Sequence, residues 1–450
     1  KAQLQFGKTT VTGVFSEQKS QTKTVTSQGG GTLQDFELFA LDYDADRHFF
    51  LSQYFRDKYD KALENYPYVN SRVQITRLEV WVTNKQNRIN TTENNIRNIV
   101  ALQDLGEGPL NNLDSQEIVA MDLGAQPGFF GSTQIGTPTD NKNNQFNPNN
   151  IGSNFLNNNI REVATANNGF NISGMEEGTD YAKLENARKL SASEYSYHPQ
   201  LGYISLNQKL QNDEVLAVAF QYTIGDEVYQ VGEFGTDGID ATNVNSSTGV
   251  AVPTTQALIL KMLKSNLTIV KNTVGGIDYT MPVWNLMMKN IYQVPGAYQL
   301  QQDDFRLNIL YVDPSPLNYI TKASASAPNL PADVDNVPLL KVFNVDQLNN
   351  TNDPENNRYG DGFFDYVPGI TIDPQYGRII FTTKEPFGKL LFDKLSTGAP
   401  TEDYNNPSNI GAYNENQAKY VFRNLYKTTQ AAALQESAKN KFQLKGRFKS

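Results

Sequence analysis

The sequence contains no cysteine. Disulfides, thiolate metal sites and cysteine nucleophiles are therefore excluded. Histidine is nearly absent: His48 and His198 lie far apart and in no metal-ligand spacing, so each reads as a capping or surface residue. A Ser-His-Asp triad built on either would be a coincidence. No run approaches the length of about 20 apolar residues that a membrane helix needs. No basic run interleaves with aromatics, and the net charge is −9 with a pI near 5.0, which argues against nucleic acid as a partner. Gly29-Gly30-Gly31 lacks the Lys-Ser/Thr that would follow it in a phosphate loop. There is no signal peptide, and the chain begins at Lys1, as an excised or processed chain would. No cofactor and no metal are expected.

What is present is polar and rich in turn formers. The 450 residues exceed one ordinary domain, so two to three core-forming units are expected. Hydrophobic residues make up 38%, and mean hydropathy is −0.52. The chain has 49 asparagines, 23 tyrosines and 24 phenylalanines. Aromatics that pack on sheets, combined with Asn-rich turns, fit an extracytoplasmic β protein.

Along the chain, Leu4 to Phe15 reads as a strand of a length that suits a tilted membrane strand of about 9–11 residues; an ordinary strand of a soluble sheet reads the same way. Asp44 and Asp46 are placed to cap a helix from about Arg47 to Asn65, with Phe50, Tyr54, Phe55, Tyr59 and Leu63 at helical spacing. Val73 to Thr83 alternates as a strand, with a phase slip near Thr76 that a bulge could absorb. Residues 106–160 are rich in Asn, Gly and Pro and read as loop or disorder. Asp180 to Ala192 reads as a short helix. Glu214 to Phe234 reads as a hairpin turning at Gly225-Asp226, and Asn416 to Lys441 as the longest helix. Phe442 to Phe448 alternates apart from Gly446 and reads as the start of another strand.

The richest stretch is Arg358 to Phe381, where glycines and a proline punctuate two short apolar runs, as in a β-hairpin. Part of it occurs twice: Pro199-Gln200-Leu201-Gly202-Tyr203-Ile204 matches Pro374-Gln375-Tyr376-Gly377-Arg378-Ile379, and Arg-Leu-x-(Val/Ile) precedes each at Arg77 and Arg306. A duplicated β module follows from this. The expected organisation is a strand and linker over 1–35, a helical segment over 36–70, a first β-rich module over 71–235 and a connector over 236–274. A second β-rich module then covers 275–395, a loop and helix 396–441, and a further strand 442–450.

Chemistry is sparse. Asp303-Asp304, Glu176-Glu177 and Asp361 with Asp365 are paired carboxylates, but any acidic chain of this length offers such pairs, and a glycosidase needs two about 5–9 Å apart across a cleft. Asp361 could bind Ca²⁺, but the EF-hand pattern is missing, and turn formation by its side chain is the better account. Phe363, Phe364, Tyr366 and Tyr376, and separately Trp81, are candidates either for core packing or for an interface with a partner.

Several segments together resemble one family. Leu78-Glu79-Val80-Trp81-Val82-Thr83-Asn84, Arg97 to Glu107, Asp42 to Leu51, Gln301 to Ile309 and Arg358 to Phe381 are similar to the SprA/Sov proteins, the outer-membrane translocon of the type 9 secretion system in Bacteroidota, which also serves gliding motility. The resemblance implies a portion of a much longer chain that forms a very large β-barrel, conducts folded proteins and catalyses nothing. It also implies three kinds of partner: a PorV-like protein at a lateral gate, a periplasmic plug protein and the exported type 9 cargo. The fold class expected is β-dominated α+β, with two related sheet modules and short helices, flanked by strands of that barrel. The strand-like ends suggest an insertion that faces the periplasm. Two alternatives are a SusD-like surface glycan-binding protein, which would be mostly helical, and a secreted glycoside hydrolase.

Overall fold

Val73–Val82 forms a strand, and its phase slip has a visible cause. It pairs antiparallel with Leu216–Ile224, and the register shifts between Gln221 and Tyr222, so that Gln221 faces Arg77 while Tyr222 faces Ile75. Thr76 is the extra residue, a β-bulge as its sequence predicts. A computed structural model describes residues 2–6, 9–13, 25–27, 32–85, 95–103, 105–107, 156–171, 175–236, 242–245, 252–274, 277–349 and 360–449. Within these the chain is β-dominated α+β with short helices and several sheets.

The largest sheet closes on itself. Leu216–Ile224 pairs with both Val73–Val82 and Leu258–Lys264. Leu258 to Lys261 runs parallel to Ile99 to Leu102, and Ile96–Leu102 runs antiparallel to Tyr181–Lys189. Trp81 and Val82 then meet Lys189 and Arg188, which completes a barrel-like ring of five strands. Glu227–Val231 adds a sixth strand through the expected hairpin, whose turn contains Gly225 at φ 59°.

Alternation divides the ring's side chains between two cores. One is drawn almost wholly from the ring's own strands and fills its interior: Trp81 is surrounded by small residues such as Ala101, Ala182, Ala217 and Ala219. A ring of so few strands is narrow, so one large side chain needs small neighbours. The opposite face, with Val80, Val100, Val218 and Ile259, joins a second core that runs without interruption from Phe36 to Phe448. Both halves of the chain therefore bury their apolar surface in common.

Several expectations are corrected here. Asp180 to Ala192 is not a helix: Tyr181–Lys189 is a ring strand. Leu184 and Ala187 are three apart yet share the ring interior, because Asn186 adopts φ 53° and donates its N–H to Asn98 Oδ1 where the register shifts. A bulge thus imitates helical spacing. Leu258–Lys264, within the stretch expected to be a connector, is a fully buried ring strand. Leu4 to Phe15 is not one long strand, since Ala2–Phe6 pairs antiparallel with Thr9–Gly13 as a hairpin. Of the Asn-rich insertion, residues 108–155 lie outside the described residues, as does Gly29-Gly30-Gly31.

The helix expected from Arg47 begins later. His48–Phe50 is a strand paired with Tyr203 to Ser205, and helix α1 covers Gln53–Ala62. Asp44 and Asp46 do not cap it. Its N-terminal amide, Gln53 N–H, is instead accepted by both oxygens of Glu107, at 3.0 and 3.2 Å. The long C-terminal helix is broken into Glu415–Tyr420, Asn424–Lys427 and Gln430–Ala433, followed by a 3₁₀ stretch, Leu434–Lys439. Val421 and Thr428 are extended, Phe422 donates its N–H to Phe387 O, and Thr429 spends its hydroxyl as the N-cap of the next turn.

Phe442–Lys449 is a strand as expected, but it lies inside a four-stranded sheet, between Thr32–Phe39 and Arg306–Tyr311. Gly446 interrupts its alternation because a Cβ there would lie 2.1 Å from Arg306 O and 2.6 Å from the Phe36 ring.

One buried ion pair joins the ring to α1. Lys261 Nζ lies 2.6 Å from Glu107 Oε1, both side chains are almost fully buried, and Lys261 also donates to Gln103 O. Burial pushes the Glu107 pKa up, against the pull of Lys261 and the Gln53 amide. Lys261→Met would leave Glu107 charged and unpaired, and should cost about 3–5 kcal/mol. The double variant Lys261→Met/Glu107→Gln should be less destabilised than Lys261→Met alone. Urea unfolding of the three proteins measures this, and equal costs would show that the pair is uncoupled.

Candidate functional site

The doubled hairpin is repeated in space as well as in sequence. Tyr195–His198 and Tyr203–Leu206 form the first hairpin, and Ile372–Asp373 and Arg378–Ile380 the second. In each, a strand from earlier in the chain pairs with the hairpin's second strand: His48–Phe50 in the first copy, Ile291–Gln293 in the other. The bonds around the turns correspond. Leu51 N–H donates to Gly202 O as Val294 N–H does to Gly377 O, and Leu206 N–H donates to Arg47 O as Phe381 N–H does to Asn290 O. Ile75 N–H donates to Pro199 O, and Leu300 N–H to Pro374 O. Gly202 and Gly377 both hold positive φ, 61° and 66°, with a neighbour pressed where a Cβ would stand: Phe55 in one copy, Ala297 in the other.

A polar cluster joins the two copies. His48 is wholly buried; its Nδ1 lies 2.7 Å from Ser205 Oγ and its Nε2 3.0 Å from Asp44 Oδ2. Arg47 Nε lies 3.3 Å from Asp44, and Arg378 Nε, from the second copy, lies 3.8 Å from it. Serine, histidine and aspartate therefore do meet, against the sequence expectation. Their surroundings serve the fold: Ser205 is 7% exposed and sits opposite His48 in the strand pair, so no substrate carbonyl reaches its hydroxyl. Burial holds the His48 pKa below its ordinary value. The neutral ring then donates from Nε2 to Asp44 and accepts the Ser205 hydroxyl at Nδ1.

The sequence-derived interface residues divide by environment. Trp81 is wholly buried in the ring interior. Phe364 is buried with its ring edge-on to Phe305 at 5.7 Å. Tyr366 donates its hydroxyl to Leu300 O at 2.8 Å, and Tyr376 lies under the Arg378 guanidinium at 4.6 Å. Phe363 is 60% exposed. Asp361 accepts Phe363 N–H at 3.1 Å through Oδ1, the turn role its sequence predicts.

Two buried carboxylates hold this loop, and only one of them, Asp365, is singled out by sequence. Asp346 accepts the amides of Asp361 and Gly362 at 2.9 and 3.0 Å. Asp365 Oδ2 accepts the Tyr66 hydroxyl at 2.6 Å and the amides of Gln347 and Leu348. Burial, then the charge of Asp365, pushes the Asp346 pKa up to about 6. The missed signal is Asp346 itself, the one acid in the mixed stretch Leu339 to Leu348. Among the described residues, no group of three or more His, Asp or Glu is arranged to hold a metal.

Glu385 gathers the densest charge. Arg56 of α1 lies 2.9 Å from it, Lys427 lies at 3.6 Å, and the Tyr404 hydroxyl donates at 2.8 Å. Lys289, also buried, donates to the carbonyls of Trp284 and Met287. Burial alone would raise the Glu385 pKa, but Lys427 and Arg56 hold it down to about 2. Arg56, Lys427 and Tyr404 thus tie three separate elements to Glu385, whereas Lys289 closes its own loop.

Comparison with known proteins gives one family: the model SprA_N, described as a motility related/secretion protein, matches residues 1–229. No curated protein matches the chain.

The Glu385 cluster makes acid stability testable. Its carboxylate pKa is depressed in the folded state, so it contributes stability above its ordinary value of 4.5 and loses it as pH falls toward about 2. Glu385→Gln should cost about 3 kcal/mol at pH 7, and the difference from the wild type should shrink between pH 4.5 and 2. Unfolding free energies across that range measure it, and a difference independent of pH would show that the charge contributes nothing.

Proposed function

The chain belongs to the SprA_N family of motility related/secretion proteins, and from that premise we propose that it is part of the outer-membrane protein-conducting channel of the type 9 secretion system. In this role it exports folded proteins and supports gliding motility without covalent chemistry. The observation that carries the reading is the family match over residues 1–229.

Features of the fold support it. The constellation that most resembles a catalytic one, Asp44-His48-Ser205, is closed to substrate. A conduit needs no group positioned for a transition state; it needs a body that keeps its shape while cargo passes. A core shared from Phe36 to Phe448 supplies such a body. No helix among the described residues is long and apolar enough to cross a membrane, and a β-barrel parent requires none. In this reading the described body faces the periplasm, and its partners are a PorV-like lateral-gate protein, a periplasmic plug protein and the exported cargo. This reading assigns a contact with one of them to Phe363, whose side chain is open to solvent.

The cysteine-free sequence makes the placement measurable. A single cysteine at Ile410, which is 98% exposed, should react with a membrane-impermeant maleimide only after the outer membrane is permeabilised. Cells depleted of the protein should retain folded cargo in the periplasm and stop gliding. Labelling in intact cells would overturn the periplasmic placement, and undiminished export and gliding after depletion would overturn the function.

A further inference from the structure

A cavity of about 210 Å³ lies where the ring meets the first hairpin. Its apolar wall is Val82, at the end of a ring strand, with Leu190, Leu206 and Leu210. Its rim carries Gln208 and Lys209, both exposed. Two carboxylates also line it, and both are engaged. Glu194 holds the Arg188 guanidinium with both oxygens, at 2.8 and 2.9 Å, and accepts the Ser191 amide and hydroxyl. Glu214 accepts the Gln211 amide at 2.7 Å, and its charge offsets that of the buried Lys264. Lys209 is left over. Among the described residues, neither its amide nor its ammonium has a partner.

The duplication shows what such a lysine takes. Leu206 N–H donates to Arg47 O as Phe381 N–H does to Asn290 O, so Leu206 and Phe381 hold equivalent places. Three residues on from each stand Lys209 and Lys384. In the second copy one carboxylate bridges the lysine. Asp60 of α1 accepts the Lys384 amide at 2.8 Å through one oxygen and its ammonium at 3.2 Å through the other. The amide and ammonium of a single residue thus make a seat for a carboxylate, and α1 fills it. The first copy keeps the lysine, lacks the acid and has an apolar cavity beside it.

We propose that this cavity binds a small organic acid, whose carboxylate bridges the amide and ammonium of Lys209 as Asp60 does at Lys384, and whose apolar body rests on Val82, Leu190, Leu206 and Leu210. At about 30 Å³ per water, there is room for a ligand of roughly seven or eight non-hydrogen atoms. An exposed ion pair alone contributes little and is screened by salt, so the apolar body must supply much of the affinity. The site is independent of the secretion role: it would take such an acid whatever the parent protein does.

Saturation-transfer NMR with the 450-residue chain at neutral pH tests it. The probe is isocaproate, compared with isocaproamide, which has the body without the charge, and with acetate, which has the charge without the body. Isocaproate should bind saturably, and the other two about tenfold more weakly or worse. Lys209→Gln should bring isocaproate and its amide to equal affinity. Gln208→Trp, which obstructs the cavity from its rim and keeps Lys209, should lose both while leaving the circular dichroism spectrum unchanged. The proposal is overturned by absence of saturable isocaproate binding, by equal binding of acid and amide to the wild type, by a charge preference that survives Lys209→Gln, or by wild-type binding to Gln208→Trp. Acetate binding as tightly as isocaproate would overturn it in favour of a bare anion site. Tighter binding of a capped Leu-Glu-Leu peptide would overturn it in favour of an acidic segment of another protein.

Discussion

The position of α1 depends on one buried carboxylate. Glu107 lies between the ring strand that carries Lys261 and the first amide of the helix at Gln53, and it neutralises one while capping the other. Two charges taken out of water need such company, because either alone would cost several kcal/mol. With the start of α1 fixed there, Phe55 is brought against Gly202, Tyr59 reaches Phe381 O with its hydroxyl, and Arg56 reaches Glu385. The helix thus links the closed ring, the first hairpin and the C-terminal elements through contacts on successive turns.

The duplication has kept its backbone and changed its side chains. Main-chain bonds around the two turns correspond, yet Tyr203 of the first copy stands where Arg378 stands in the second. That difference is used: Arg378 reaches across to the Asp44 carboxylate, whose other charged partners, Arg47 and His48, belong to the first copy. A repeat whose members are stitched together by a charge held by only one of them behaves as a single body, in keeping with the uninterrupted core.

The parts legible in the sequence are those governed by local periodicity or local turn chemistry. The Thr76 bulge, the Gly225-Asp226 hairpin, the repeated Pro-Gln-x-Gly turn and the Asx turn at Asp361 all follow from neighbours a few residues apart. The failures have physical causes. Asn186 inserts a residue that makes a strand imitate a helix. Thr428 and Thr429 interrupt a stretch whose composition favours helix. The Lys261 partner of Glu107, the amides that Asp346 accepts and the Arg378 that reaches Asp44 come from outside any local window, and no pattern within one announces them. The aromatics Trp81, Phe364, Tyr366 and Tyr376 could have been core or interface on sequence alone; in the folded chain Trp81 and Phe364 are buried, the Tyr366 hydroxyl is hydrogen-bonded and Tyr376 stacks under Arg378. Tyr68, which no periodicity marks, is far more exposed.

The strand Phe442–Lys449 lies antiparallel to Thr32–Phe39, with Leu33 opposite Lys449 and Phe39 opposite Gln443. The strand ends at Thr32 and Lys449 consequently lie side by side at the same end of the ladder, and Val25–Ser27 pairs with Thr32–Phe39 on its other edge. Tension drawn through both would load the hydrogen bonds one rung at a time, as in peeling, whereas force applied along opposite ends of a ladder must shear all its rungs together. This ladder therefore yields more easily to force that parts Thr32 from Lys449 than to force that slides its two strands past one another.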